Sequence, residues 1–217
     1  MSTLLLRLAA PLQSWGIDKF DRRGTENVPT KSGVIGMLAA ALGRKRTECD
    51  NMRDLLSLKF GIRVEHNGRL LCDFHTAKSI NSAYITYRYY LSDAVFLAGL
   101  EGGDVFLEEL AYAVQTPAFP LFLGRRSCPP EGKVFLKISN GKNLLAALME
   151  EPSLLFENKS NTANRRIVVD AETTSKEGYF QRDIPLSFNQ EQRKYGFRRV
   201  FEVRRDVTEH DPMQELN

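Results

Sequence analysis

The sequence predicts an α+β fold, on three observations. Val34 to Leu42 is an unbroken apolar run of good helix formers. Tyr84 to Leu100 is dominated by β-branched and aromatic residues, the composition of strands. Around them the first half of the chain reads strand, helix, two strands, strand, helix, with one short extra helix.

Taken in order, Thr3 to Ala10 is a nearly all-apolar strand and therefore a central one, ended by Pro11. Leu12 to Gly16 is a loop holding the only tryptophan, Trp15, which is either a packing anchor or a base-stacking platform. Ile17 to Pro29 is polar and irregular and carries Arg22 and Arg23. Thr30 can cap the central helix and Gly43 can stop it. A helix apolar on all sides is buried on all sides, so only its first turn, Lys31, Ser32 and Gly33, is expected at the surface. Met52 to Leu58 reads as a short helix. Lys59 to Glu65 and Arg69 to His75 read as a hairpin turned by Asn67-Gly68. Ala77 to Ala83 lacks an apolar period and reads as a projecting loop, and Tyr84 to Leu100 as a strand. Asp104 to Gln115 is an amphipathic helix with Leu107, Leu110, Ala111 and Val114 on one face. Thr116 to Pro130 is a loop stiffened by four prolines, which holds the Arg125-Arg126-Ser127 tip in place as a phosphate clamp. Lys133 to Ile138 completes a unit close to the β-α-β-β-α-β ferredoxin-like order, the scaffold of RNA-recognition modules.

The expected organisation is thus an RNA-recognition-like domain over residues 1–138 and a small β-rich domain over 139–217. The second holds a helix at Asn143 to Met149, a polar linker at Ser153 to Asn164, and strands at Arg165 to Ala171, Tyr179 to Ile184 and Phe197 to Val207.

Composition narrows the function classes. At 217 residues, 42% hydrophobic and 26% charged, the chain is an ordinary globular protein. Leu4 to Ala10 is too short to span a bilayer, so no membrane is expected and the location is expected to be cytoplasmic. Cys49, Cys72 and Cys128 lack paired spacing; with only His66, His75 and His210 they make neither a zinc site nor a disulfide framework, and no cofactor is expected. The net charge of +3 is mild, but from Gln181 to Arg205 seven basic residues face three acidic ones, a balance of +4. Arg doublets recur at 22/23, 125/126 and 165/166. Either these form a solvated face, or they form a surface that tracks a nucleic-acid backbone.

Thr25 and Thr30 stand where a phosphate-binding P-loop needs glycines, so Lys31 belongs to no P-loop. Two readings of the helix start remain: a core helix with a polar cap, or a phosphate site built from Lys31, Ser32, Gly33 and the helix dipole.

Leu6 to Gly16, Pro29 to Gly43 and Leu123 to Pro129 together resemble the CasD family, Cas-five-type subunits of the type I-E CRISPR Cascade surveillance complex. Asp73 to Thr76 and Tyr89 to Ala94 fall where that family has similar segments. The resemblance implies an RNA-recognition-like core with a projecting thumb hairpin, about 77–88 here. It implies a non-catalytic subunit that caps the 5′ handle of the CRISPR RNA, docks on the backbone and large subunits of Cascade and meets target DNA only indirectly. Carried over by position, Lys31, Ser32, Gly33, Arg125, Arg126 and Ser127 become handle-binding candidates, followed by Trp15, Arg22, Arg23, Lys78 and Arg88.

The alternative is a metal-independent precursor-RNA endoribonuclease of the same fold. His75, Lys78 and Tyr84 or Tyr87 could supply its base, cation and acid, or His75 could be structural. Glu108/Glu109 and Glu150/Glu151 diverge on helices and share no metal.

Overall fold

A computed structural model describes residues 1–16, 22–45, 52–78, 83–155, 166–171, 178–188 and 194–204. Outside them lie the 156–165 linker with Arg165, the 79–82 tip of the expected thumb, Cys49, Arg193, Arg205 and His210. No helix among the described residues is long and apolar enough to cross a membrane.

The first strand, β1 (Ser2–Ala9), sits inside a large antiparallel sheet, as its apolar composition requires. Its neighbours are β7 (Val95–Gly102) and β8 (Phe135–Ser139). On the far side of β7 lies β4 (Lys59–His66), giving the order β4-β7-β1-β8. Alternate residues of β1 enter different cores. Leu4, Leu6 and Leu8 pack beneath α1 (Lys31–Ala41) and α3 (Asp104–Gln115), while Leu5 packs with Leu97 beneath α4 (Leu144–Glu150) on the opposite face. Both helices of the first face start and stop where local chemistry sets them: Thr30 Oγ1 accepts from Gly33 N at 3.2 Å, and α3 buries Leu107, Leu110, Ala111 and Val114. The short helix α2 (Arg53–Ser57) leads into β4.

α4 is only seven residues long, too short to stand alone. The sheet holds it at both ends. Glu101 Oε2 accepts from Leu144 N at 2.7 Å, and the fully buried Arg63 donates to the carbonyls of Leu148 and Glu151, each at 2.5 Å.

Three expectations need correction. The stretch expected as a hairpin, 59–65 with 69–75, is not one: β4 pairs with β7, while β5 (Arg69–Lys78) pairs with β6 (Ala83–Ser92) in a second sheet. Asn67-Gly68 does turn the chain, but out of the first sheet. Gly68 has φ 68°, and a Cβ there would meet Ser92 O at 2.4 Å. For the same reason 84–100 is two strands: Asp93, at φ 57°, breaks β6 from β7 where the chain returns, and His66 Nδ1 lies 2.8 Å from Asp93 O across this neck. The hairpin is accordingly longer than the expected 77–88, running from Arg69 paired with Ser92 to Lys78 paired with Ala83. The other edge of β6 carries β2 (Leu12–Gln13) and β3 (Arg22–Arg23).

The third correction concerns the tail. Strands β9 (Arg166–Asp170), β10 (Tyr179–Ser187) and β11 (Lys194–Arg204) form no sheet of their own over 139–217. They extend the first sheet in the order β10-β11-β9-β4. β4 would otherwise leave an apolar edge of unpaired backbone groups, and β9 closes it through Gly61, Ile62 and Arg63.

Candidate nucleic-acid interface

The amino end of α1 is occupied by the protein itself. Lys31 is 6% exposed; its Nζ donates to Leu58 O at 2.7 Å and pairs with Asp170 Oδ2 at 3.1 Å. The backbone N–H of Lys31, at the positive end of the helix, donates to Asp183 Oδ2 at 2.8 Å. Arg198 closes the network, with Nε 2.6 Å from Asp183 Oδ1, Nη1 2.6 Å from Asp170 Oδ1, and its guanidinium 5.1 Å from the Phe60 ring centroid. Burial alone would lower the Arg198 pKa, but the hydrogen bonds and charges of Asp183 and Asp170 outweigh it and push it up, so this cation stays charged. The expectation that the first turn of α1 reaches the surface is therefore corrected. A helix start attracts an anion, and here the anion is Asp183, brought in from a strand 152 residues later. Lys31 leaves the set of phosphate-binding candidates.

Ser32 and Gly33 instead line a cavity of about 410 Å³ between α1, the Trp15 loop and the proline-rich loop. Phe119, Phe122, Phe188 and Tyr195 supply its aromatic lining. Trp15 is 1% exposed, donates from Nε1 to Gln13 Oε1 at 3.2 Å and crowds Gly33, so it is a packing anchor at the cavity floor and not an open stacking platform. Two cations stand at the cavity, Arg44 and Lys45. Arg44 is held in a two-pronged pair with Asp54, whose pKa the Arg44 hydrogen bond lowers. A depressed carboxylate pKa adds stability above its unfolded value, so this pair loosens only as the pH falls below the ordinary carboxylate range.

The proline-rich loop is anchored at its centre by burial and by backbone hydrogen bonds. Leu123 and Cys128 are buried, Leu123 N donates to Cys128 O at 2.7 Å, and Ser14 N donates to Leu123 O at 3.2 Å. Burial raises the Cys128 thiol pKa, against the pull of Ser127 and Arg125, so this cysteine is structural. Gly124, at the cavity wall, has φ 87°, and a Cβ would stand 1.6 Å from Ser14 O. Gly124→Ala is expected to destabilise the protein by about 1–3 kcal/mol and to expose the loop to proteolysis; limited digestion checks it, and wild-type resistance at 116–130 would count against this account.

Beyond Gly124 the clamp residues divide. Arg125 turns inward: Nη2 donates to Arg23 O at 2.7 Å and the guanidinium stacks 4.7 Å from the Tyr90 centroid. Arg126 and Ser127 are exposed. The structure thus gathers Arg23, Arg88, Arg125 and Tyr90 on the second sheet, since β3 pairs with β6 through Arg23 and Arg88. Among the described residues, Arg125 Nη1 and Arg88 Nε are buried without a hydrogen-bond partner. The side chain of Arg22 lies outside the described residues.

Lys78 is exposed near the far end of the β5–β6 hairpin. Strand alternation places Lys78 and Tyr87 on one face, and His75 and Tyr84 on the other. His75 Nε2 is 2.5 Å from Asp73 Oδ2 on its own strand. The expected base and cation of a nuclease are therefore not assembled. The Lys78 face also bears Leu70, Phe74, Ile85 and Tyr87, all exposed apolar side chains.

Sequence reasoning missed Asp170, Asp183, Arg198 and the cavity aromatics. Strand patterning carried no signal for them, because Asp170 shares its face with Arg166, Asp183 with Gln181 and Arg198 with Glu202.

Residues 3–201 match the family model described as CRISPR-associated protein (Cas5). The chain is 34% identical over 170 residues to "CRISPR system Cascade subunit CasD" of Escherichia coli (strain K12), a match covering 68% of this chain and 76% of that protein. Among solved structures it is similar to "Crystal structure of Cas protein", with TM-score 0.73, 38% identity, and coverage of 94% of this chain and 95% of that one. It is also similar to a chain of a "CRISPR RNA-guided surveillance complex", with TM-score 0.77, 31% identity, and coverage of 94% and 90%. With nearly the whole chain matched by sequence and by shape, the protein belongs to the Cas5 family of CRISPR-associated proteins.

Proposed function

We propose that this chain is a non-catalytic subunit of a Cascade-type surveillance complex and caps the 5′ handle of the CRISPR RNA. The observation that carries the reading is the aromatic-lined cavity of about 410 Å³ beside a rigid loop whose Arg126-Ser127 tip is exposed. A base unstacked from a single strand fits such a cavity, and its phosphates would meet Arg126 and Lys45. The order β4-β7-β1-β8 with α1 and α3 on one face supports a ferredoxin-like, RNA-recognition-like core. The β5–β6 hairpin is the thumb in this reading, and its exposed apolar face docks on the backbone and large subunits. The relatives named as a Cascade subunit and as part of an RNA-guided complex support the same assignment. Opposite placement of His75 and Lys78 supports a binding role over cleavage.

The test is a titration of repeat-derived handle RNA against salt. Arg126→Ala is expected to lower the log–log slope by about 0.7, one single-strand phosphate. Gly36→Leu fills the cavity from the wall of α1, where a Cβ meets only Phe188 at 3.6 Å. It is expected to weaken handle binding about tenfold or more while the melting temperature holds, because leucine is the better helix former. Unchanged binding by both variants would remove the cavity from the reading. Metal-free cutting of repeat RNA that His75→Ala abolishes would overturn the non-catalytic half.

A further inference from the structure

We infer that the rear face of β11 and β10, on the side of the large sheet that carries α4, seats an amphipathic helix of another protein subunit. On that side α4 lies over β1, β7, β4 and β9, and β11 and β10 continue the sheet beyond it. Phe201 and Val203 pair with Val169 and Ile167 of β9 and pack on the same core as α4. Strand alternation sends Phe197 to that side with them. Phe180, paired with Arg199, joins the same face from β10. The rear core therefore does not end in polar side chains. It runs out through the half-buried Phe201 and Val203 to Phe197 and Phe180, which are 64% and 71% exposed.

The spacing of the layer selects the occupant. Neighbouring strands stand about 4.8 Å apart and packed helices about 8–10 Å apart, so a helix seated beside α4 lies roughly two strands further along, on β9 and β11. The edge strand β10 then flanks it with Phe180. Such a helix presents an apolar stripe at i, i+3, i+4 and i+7 to Phe180, Phe197, Phe201 and Val203. A carboxylate on its flank meets the exposed Arg182, whose described partners are the Tyr195 carbonyl and the Phe197 ring, neither of them an acid. Arg199 is engaged elsewhere and is not needed. Glu172, Glu177 and Glu191, in the segments that flank β10, lie outside the described residues. Apolar burial, and not the charge balance of the face, therefore carries the affinity. A nucleic-acid strand fits worse, because Val203 and the half-buried Leu154 beside it on this core offer neither a ring for a base nor a donor for a phosphate.

This docking rests on the chain being a subunit of a complex, and not on its binding the handle. The test uses the assembled complex with p-benzoylphenylalanine in place of Phe197, which keeps an aromatic ring at an exposed position. Irradiation is expected to cross-link the chain to the apolar stripe of a helix in a neighbouring subunit, located by mass spectrometry. Phe180→Glu with Phe197→Glu is expected to weaken retention of the chain by that subunit about tenfold or more. Both rings are exposed, so the melting temperature and the handle-RNA affinity of this variant should hold. Loss of docking and loss of handle binding are thereby read separately. Val105, 83% exposed on α3, is the control, and Val105→Glu is expected to leave retention unchanged. A cross-link to residues 156–165 or 205–217 of the same chain would overturn the inference, since the chain would then cover its own face. So would a cross-link to RNA or to a second copy, no cross-link at all, or retention of the double Glu variant at wild-type strength.

Discussion

Arg198→Ala is expected to cost about 3–5 kcal/mol and to lower the melting temperature by roughly 6–20 °C for a chain of this size. Arg198 is buried between two carboxylates. Without it, among the described residues Asp183 keeps the hydrogen bond from Lys31 N, and Asp170 keeps Lys31 Nζ and Phe60 N. The Lys31 ammonium would then pair Asp170, and Asp183 would be a buried carboxylate with only a backbone N–H for a described partner. The damage is also directional: Asp183 and Arg198 are what fasten β10 and β11 to α1, so the hairpin should open before the β1–β7 centre does. A double-mutant cycle checks the cause. Adding Asp183→Ala removes the stranded charge, so the double variant should lose less than the two single losses combined, with a coupling of about 1–3 kcal/mol. Additive losses, or a single loss under about 1 kcal/mol, would mean that the four groups are merely adjacent.

That network shows why part of the chain was legible in advance and part was not. Helices α1 and α3 are written locally. Thr30, the apolar run and Gly43 lie within fourteen residues, and the period of Leu107, Leu110, Ala111 and Val114 repeats within one helix. The stiffness of 116–130 is likewise written in its own prolines. Pairing partners are not local. Asn67-Gly68 announces a turn but not whether the next strand returns to the same sheet, and Asp93 matters only because Gly68 lies against Ser92 and Ala94. Lys31 reads as a ligand-binding cation until the carboxylates that neutralise it arrive from residues 170 and 183. Arg126 and Ser127 stay at the surface because the loop carrying them is anchored by its apolar neighbours, which the composition already suggested. The tail reads as a separate domain because strand count is visible in sequence, whereas the open edge of β4 that recruits β9 is not.

Arg63→Ala is expected to have a loss of similar size, about 3–5 kcal/mol, concentrated on the opposite face of the sheet. The Arg63 side chain is 1% exposed, and so is that of Glu65, its partner at 2.5 Å. Besides that pair it donates to the carbonyls of Leu148, Glu151 and Pro152, satisfying the groups that α4 leaves open at its carboxyl end. Removing the guanidinium leaves Glu65 buried with Ser153 Oγ as a remaining donor and frees one end of a helix too short to persist alone. Hydrogen exchange should therefore speed up across Leu144–Glu150, while α3, which packs on the opposite face of the sheet, keeps its protection. Arg63→Lys should not rescue, because one ammonium on a flexible stem cannot reach a carboxylate and three carbonyls at once. Glu65→Gln added to Arg63→Ala should recover part of the loss, since the stranded charge goes with it. Undiminished protection of α4 in Arg63→Ala would show that Leu144, Ala147 and Leu148 alone hold the helix on the sheet, with Arg63 a passive filler of the space beneath it.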